Sequence, residues 1–353
     1  MTRAPSVFAR TFTTPLILIA ILLAISVAVH LFGSGALQRT VVEMLMRVVL
    51  VVGMWIFIGN SGIISFGHVG FMCLGAYAAA WFTIPPMLKQ ISLRGLPEIL
   101  LTNQFPFWPS ALAAALLAAG FALVIGPILM RLAGIAASIA TFAMLAMINT
   151  IYSNWSSVTG GTSSVIGIPI RTSLWVALGF AAAAILIAYV YAISRSGLAL
   201  RAARDEPIAA EASGVNIARE RLIAFVLSAF VCGASGVLYA HFLGIITPDA
   251  FFLTATFISL SMLVVGGMYS LSGAVVGVVV ISSIIQMLRT LERGVAVGDM
   301  TVSLPNGSQQ IAIGVVMILI LLFRPAGIMG NRELRLRLNR GTGGRKSAEA
   351  PRA

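Results

Sequence analysis

The sequence predicts an all-α, polytopic integral membrane protein with about ten transmembrane helices and with both termini in the cytoplasm. Of its 353 residues, 59% are apolar and only 10% are charged, and the mean hydropathy is +1.00. That composition fits no soluble domain. Apolar runs of about 20 residues, the length that crosses a bilayer core, recur along the chain. Lys and Arg are concentrated in alternate connections, as expected for a multi-span protein.

The apolar runs define the individual spans. Each run is bounded by polar, Gly-rich or basic residues, and each is read as one helix. The predicted spans cover roughly 14–32, 41–59, 66–84, 109–130, 134–152, 173–193, 222–245, 254–268, 273–289 and 309–324.

The positive-inside rule gives the orientation. If residues 1–13 are a cytoplasmic N-terminus, most of the 23 Lys and Arg residues lie on the cytoplasmic side. The net charge of +12 is therefore a topology signal, and nucleic acid is not expected as a partner. Residues 14–330 form the predicted transmembrane domain, with a cytoplasmic loop at 195–221. Residues 331–353 form a basic cytoplasmic tail, predicted to be disordered and held near anionic lipid.

The first span has a second interpretation. Arg3 and Arg10 before an apolar run also describe a signal peptide. The run is long for a signal sequence and lacks a clean small-x-small cleavage site, so a retained helix is expected.

The one long polar segment inside the apolar sequence covers 194–216. It contains a short helix signal, with Asp205 as the predicted N-cap, Pro207 in the first turn and Gly214 at the end. A helix of barely two turns is not stable alone in water, so it needs a partner surface. The segment offers that partner small side chains and the charges of Arg204, Asp205, Glu206 and Glu211.

A Gly- and Ser-rich break at 59–71 separates two apolar helices. Irregular backbone at membrane depth survives only where protein or a water-filled cavity satisfies its amides, so Asn60, Ser65 and His68 are candidates for a solute path. The alternative is a tight turn with small residues that let helices approach closely.

Two more polar features lie near the predicted outer side. Thr159, in the polar loop 154–162, is a further candidate for the path, although an ordinary connection explains the loop equally well. Glu43 and Arg47 are spaced i, i+4 in the second span and are predicted to pair at the membrane rim.

These residues carry a resemblance to a known family. Several ordered motifs over roughly 40–330 resemble the LivM-type permeases of branched-chain amino acid ABC importers. The matching stretches are Gly59–Gly62 with Ser65–His68 and Leu74–Tyr77, Ala137–Phe142 with Asn154–Trp155 and Thr159–Thr162, Arg201–Glu206 with Ala209–Gly214, Leu222–Phe225 through Leu238–His241 and Pro248, Val265–Met268, and Leu322–Gly327.

The resemblance implies partners and roles. It implies a second related permease, two ATP-binding cassette subunits and an extracytoplasmic solute-binding protein in a bacterial inner membrane. It implies that the polar segment is an ATPase-coupling loop in which Arg204, Asp205, Glu206, Glu211 and Gly214 act. The chain itself is expected to hold no ATPase site, because Arg345 occupies the position that needs glycine in the phosphate-loop-like tail. No cofactor is expected, and no thiolate metal site is expected either, because Cys73 and Cys232 both lie within apolar runs.

The chain departs from the family pattern at Trp55, Asn60, Tyr269, Ser272 and Ala274. The solute therefore stays open between branched-chain or related amino acids and urea, short amides or another small organic solute. An ATP-independent transporter or channel remains a second class, but no span core offers a convincing coupling charge. An intramembrane enzyme is not supported, because the three histidines are scattered and no acid pair accompanies them.

Overall fold

The computed structural model describes residues 13–292, 295–297, 300–302, 305, 307–324, 326–330 and 333–334. Within these ranges the chain is predominantly α-helical, with one short 3-10 helix at Pro248–Phe251. The helices are α1 (Thr13–Phe32), α2 (Gly35–Ser61), α3 (His68–Thr83), α4 (Pro86–Ser92), α5 (Glu98–Thr102), α6 (Phe107–Leu129), α7 (Gly134–Asn154), α8 (Ser156–Thr159), α9 (Leu174–Ile193), α10 (Arg195–Asp205), α11 (Pro207–Ala212), α12 (Ile217–Leu243), α13 (Leu253–Gly266), α14 (Leu271–Glu292) and α15 (Ser308–Phe323).

Two short antiparallel ribbons join loops, and neither was predicted from the sequence. Strand β1 (Val165–Ile166) pairs with β2 (Ile245–Ile246), which ties the loop after α8 to the end of α12. Strand β3 (Val295–Val297) pairs with β4 (Met300–Val302) in the connection between α14 and α15. Strands this short are not recognisable from a period-2 pattern.

The all-α membrane architecture is confirmed. Eight helical segments of the described chain are long and apolar enough to cross a membrane. The predicted spans 66–84 and 309–324 correspond to the shorter helices α3 and α15, of 16 residues each. The N-terminus up to residue 12 and the predicted tail beyond residue 334 lie outside the described residues.

The core is built around α2 and α12. The apolar window of α2 is 89% buried, against 22% for α1 and 28% for α7. Helix α12 packs against α2, α3 and α6, while α9 and α14 cover other sides of α2. A helix that is apolar all round is expected to be buried, and α2 fits that rule.

Close approach of α3 and α12 depends on glycine. A Cβ atom on Gly236 would lie 1.9 Å from the backbone oxygen of Met72, and one on Gly75 would lie 2.1 Å from the oxygen of Gly233. Small residues at such crossings let two backbones approach within van der Waals contact.

Polar side chains on α12 also form hydrogen bonds with α2. Three of them, spaced at about one helical turn, donate to backbone carbonyl groups of α2. The bonds are Ser228 Oγ to Gly53 O at 2.7 Å, Cys232 Sγ to Leu50 O at 3.7 Å and Ser235 Oγ to Met46 O at 3.0 Å. Interhelical hydrogen bonds of this kind contribute about 0.6 kcal/mol each in a membrane protein.

Candidate functional site

Candidate residues lie at two opposite ends of the helical bundle. The basal end is the one that carries the polar segment 194–216 and the C-terminus of α2. The distal end carries the N-terminus of α2 and the C-terminal parts of α12 and α14. Residues 43 and 59 of α2 are separated by about 24 Å along the helix axis, because each residue rises about 1.5 Å.

The polar segment folds into two short helices rather than one. Ser194 caps α10, and its hydroxyl accepts the Gly197 N–H at 3.2 Å. Helix α10 continues through Asp205, so the N-cap of α11 is Glu206 and the prediction of Asp205 as N-cap is wrong by one residue. Pro207 occupies the first turn of α11, as predicted. The proline ring fixes φ near the helical value, so Pro207 is suited to be the first residue of α11.

Gly214 ends α11 in a Schellman motif. Its φ is +84°, which favours glycine, and its N–H donates to Glu211 O at 2.9 Å. The Val215 N–H reaches back to Ala210 O at 3.1 Å. These two bonds satisfy carbonyl groups that a short helix would otherwise leave open. The predicted role of Gly214 as a helix terminator agrees with this geometry.

The two helices pack on each other and leave one face of α11 free. Ala210 is buried against Ala203 and Ile217. On the other face, Ile208 is 83% exposed, and Ala209 and Ala212 are exposed beside it. Glu206 and Glu211 flank these side chains and are also exposed. The face therefore combines a single large apolar side chain, small neighbours and acidic margins.

Arg204 connects the polar segment to the core of the protein. Its Nη1 donates to Gly59 O at 2.8 Å, near the C-terminus of α2, where the helix dipole is negative. Its guanidinium carbon lies 4.7 Å from the ring centre of Tyr269, in the connection between α13 and α14. Asp205 accepts from Nε at 2.9 Å. One side chain thus contacts three parts of the basal end.

Arg201 holds the other side of α10. Its guanidinium donates to the backbone oxygen of Ala192 near the end of α9. Burial lowers the pKa of Arg201, and the positive charge of Arg204 lowers it further. The two arginines therefore fix α10 against α9 and α2 at once.

Asn60, Ser65 and His68 lie in or beside the break after α2, and all three are fully buried. Ser65 Oγ lies 2.8 Å from His68 Nδ1, and Asn60 donates to Ile56 O at 2.9 Å. Asn60 Oδ1 and His68 Nε2 have no hydrogen-bond partner within the described part of the chain. None of the three lines a described cavity, so the tight-turn interpretation and the path interpretation both remain predictions.

Thr159 lies apart from these residues, at the distal end. Its hydroxyl donates to Tyr152 O at 2.6 Å, and the neighbouring Val158 O accepts from Trp81 Nε1 at 2.9 Å. Trp81 and His68 are near opposite ends of α3, about 20 Å apart along its axis. The four predicted path residues therefore do not form one site in this structure.

A charged cluster occupies the distal end. Glu43 pairs with Arg47 one turn along α2, as predicted, and its second carboxylate oxygen lies 3.2 Å from Nη1 of Arg289 on α14. One carboxylate is shared by two guanidinium groups. Charges inside apolar spans are costly and by default mark functional positions.

This cluster separates two hollows. A groove of about 1040 Å³ has Arg39, Glu43 and Arg289 in its wall. A smaller cavity of about 260 Å³ has Glu43, Arg47 and Asp249 in its wall. Glu43 is common to both. The groove and the cavity are therefore adjacent, with the ion-paired carboxylate between them.

Sequence reasoning missed the cavity and the contribution of Arg289. The pairing of Glu43 with Arg289 joins residues 246 positions apart, and a lone arginine at the end of an apolar span gives no hint of its partner. Across the described residues, no group of three or more His, Cys, Asp or Glu side chains is placed to hold a metal ion.

Comparison with known proteins gives a consistent result. No solved structure matches the chain. The chain is 23% identical to the "High-affinity branched-chain amino acid transport system permease protein LivM" of Escherichia coli and to that of Salmonella typhimurium, over 96% of this chain and 80% of each relative. It is 29% identical to the LivH permease protein of Salmonella typhimurium, over 46% of this chain and 47% of that relative.

A family model also matches most of the chain. The family is described as "Branched-chain amino acid transport system / permease component", and the match covers residues 36–321. That range includes both ends of the bundle, α2 from its second residue onward, and all of the helices from α3 to α14. The chain therefore belongs to the family of branched-chain amino acid transport system permease components, as a multi-pass protein of the bacterial inner membrane.

Proposed function

We propose that this chain is the membrane-spanning permease of an ATP-driven importer for branched-chain or related amino acids. Two ATP-binding cassette subunits dock at its basal end, which faces the cytoplasm. A second, related permease completes the membrane core, and an extracytoplasmic solute-binding protein delivers the solute. The chain contributes no ATPase site of its own.

The polar segment carries this proposal. Helix α11 is too short to be stable alone, yet both of its ends are fixed, by Pro207 and by the Schellman motif at Gly214. It is therefore a preformed element that offers exposed Ile208 with small neighbours to a groove on another protein. An amphipathic helix that inserts one apolar anchor into a groove is a common recognition mode.

Arg204 gives the docked segment a mechanical connection to the spans. It contacts the end of α2 and the turn that precedes α14, so displacement of α10 acts on both. ATP-driven closure of the two docked subunits would thereby rock the helices and open the path to alternate sides. Asp205 keeps the guanidinium oriented, and Glu206 and Glu211 supply exposed charge for the partner.

Co-purification in mild detergent, followed by an ATPase assay with candidate solutes, tests the proposal. We expect two ATP-binding subunits and a second permease to co-purify, with hydrolysis stimulated by the liganded binding protein. If urea or a short amide stimulates hydrolysis and no amino acid does, the solute is that compound and not an amino acid. A stable complex without an ATPase would instead favour an independent transporter or channel.

The coupling face itself is tested by Glu211→Lys combined with Gly214→Asp. The first change reverses an exposed charge, and the second places a side chain at φ +84°, where left-handed backbone costs an L-residue about 1 kcal/mol. We expect uptake to be abolished and membrane insertion to be unchanged. Loss of insertion, or normal uptake, would contradict the docking role.

A further inference from the structure

We propose that the cavity between α2, α12 and the start of α13 is a binding site for the zwitterion of a small apolar α-amino acid. The inference deepens the proposed function and rests on it, because it places a solute site on the permease itself. The site is called the distal cavity below, and the charged residues in its wall are Glu43, Arg47 and Asp249, with Tyr239 in the same wall.

The distal cavity has the size of a small solute. Its volume of about 260 Å³ lies just below the range of about 300–1,000 Å³ typical of pockets for drug-sized ligands. A single amino acid is smaller than such ligands. The volume therefore suffices for a single amino acid.

The wall offers charge of both signs to one molecule. The Glu43 carboxylate forms ion pairs with both Arg47 and Arg289. Two guanidinium groups therefore share one carboxylate, and this part of the wall has an excess of one positive charge. An incoming carboxylate can share the Arg47 guanidinium, which presents several N–H donors in one plane. Asp249, on the same wall, forms no ion pair within the described ranges and is exposed to an incoming ammonium group.

The wall also carries hydroxyl groups, those of Ser235, Thr254 and Ser259, and it has an apolar part. Met46, Leu50, Met72 and Ile258 line the distal cavity. Methionine side chains adapt to ligands of different shape because they are unbranched and flexible. A branched aliphatic side chain could lie against these residues while the two charged groups of the zwitterion face Arg47 and Asp249.

The adjacent groove lies on the other side of Glu43 from the distal cavity. It holds about 1040 Å³, and its polar wall includes Arg39, Gln286 and Arg289. Glu43 lies in the wall of both hollows. A solute in the groove therefore lies beside the ion-paired Glu43, and Arg47 lies on the side of the distal cavity.

Saturation-transfer NMR on the detergent-solubilised complex, without binding protein or nucleotide, tests this site with leucine as the probe. We expect leucine to bind, and we expect Asp249→Asn and Arg47→Gln each to raise the apparent Kd at least about tenfold, as for loss of one charged hydrogen bond. Arg47→Lys should retain part of the affinity. Glu98→Gln and Arg94→Gln, exposed residues outside both hollows, are the matched controls and should leave the Kd unchanged.

Two analogues complete the design. The acid 4-methylvalerate lacks the ammonium group, and isopentylamine lacks the carboxylate, so neither should displace leucine at equal concentration. Displacement by either analogue, unchanged binding in Asp249→Asn, or absence of leucine binding to the unmodified complex would overturn the distal cavity as a zwitterion site. If the distal cavity fails these tests but the complex still takes up leucine with ATP, the proposed function stands and only the distal cavity is refuted. If no ATPase subunit is present in the complex, the proposed function is refuted whatever the binding measurements show.

Discussion

Replacing Arg204 with alanine should uncouple ATP hydrolysis from uptake. The change removes the hydrogen bond to Gly59 O and the contact with the Tyr269 ring. A hydrogen bond from a charged group contributes about 1.5–3 kcal/mol, and a cation–π contact at a partly exposed site about 0.5–1 kcal/mol. The pair with Asp205, whose side chain is 66% exposed, adds little.

The expected loss is therefore about 2–4 kcal/mol of interaction between the polar segment and the spans. A loss of 2 kcal/mol corresponds to about a 30-fold shift in the equilibrium between a connected and a disconnected segment. In proteoliposomes we expect hydrolysis within about twofold of the unmodified complex, with solute transported per ATP reduced about tenfold or more.

Arg219→Ala is the matched control, because Arg219 is an exposed arginine at the start of α12. The double variant with Tyr269→Leu measures the coupling energy between the ring and the guanidinium. Equal transport per ATP in Arg204→Ala and Arg219→Ala would refute the role of Arg204. A parallel loss of hydrolysis and uptake in Arg204→Ala would show that it affects assembly with the ATPase rather than transmission.

Two further predictions concern stability. Gly236→Val should lower the thermal unfolding midpoint of the detergent-solubilised protein, since even a Cβ at this position would lie 1.9 Å from Met72 O and overpacking costs about 1–3 kcal/mol. The control Gly179→Ala, in open space on α9, should leave the midpoint unchanged. Equal midpoints for the two variants would contradict the close contact between α3 and α12. Burial lowers the pKa of Lys89 from 10.5 to about 8, so between these pH values the unfolded chain binds more protons than the folded one and the stability should rise with pH. The difference in thermal unfolding midpoint between the unmodified protein and Lys89→Arg should therefore grow from about pH 8 to about pH 10. A difference that stays constant over this range would contradict the lowered pKa.

The spans were predictable because their signal is local. A run of about 20 apolar residues has one low-energy solution in a bilayer, so composition alone identifies the helices. Boundaries next to irregular structure were less secure. The helix of the predicted span 41–59 begins at Gly35 and ends at Ser61, where Gly62 adopts φ +73°.

The polar segment was partly predictable. Pro207 and Gly214 are local signals, and they lie where expected, Pro207 in the first turn of α11 and Gly214 just after its end. The separate helix α10 was not predicted, because its apolar content is low and it is held by contacts of Arg201 and Arg204 with backbone oxygens of other helices. Such contacts leave no trace in a short window of sequence.

The distal cavity was beyond sequence reasoning for the same reason. The i, i+4 spacing of Glu43 and Arg47 predicts their pairing, since that spacing places both side chains on one helix face. The opposing wall comes from Tyr239 and Asp249, more than 190 positions later in the chain. Only the packing of α2 against α12 brings them to the same hollow.

One helix connects the two proposals. Helix α2 carries Glu43 and Arg47 at the distal cavity, and about 24 Å away it ends at the Gly59 carbonyl group that receives Arg204. A continuous, buried helix moves as a rigid body, because its close-packed surroundings resist bending. If Arg204 transmits motion and the distal cavity binds the solute, displacement of the polar segment moves the Arg47 wall relative to Asp249, which lies beyond α12. Coupling between ATP and solute then requires no conformational change within α2, only a shift of α2 against its neighbours.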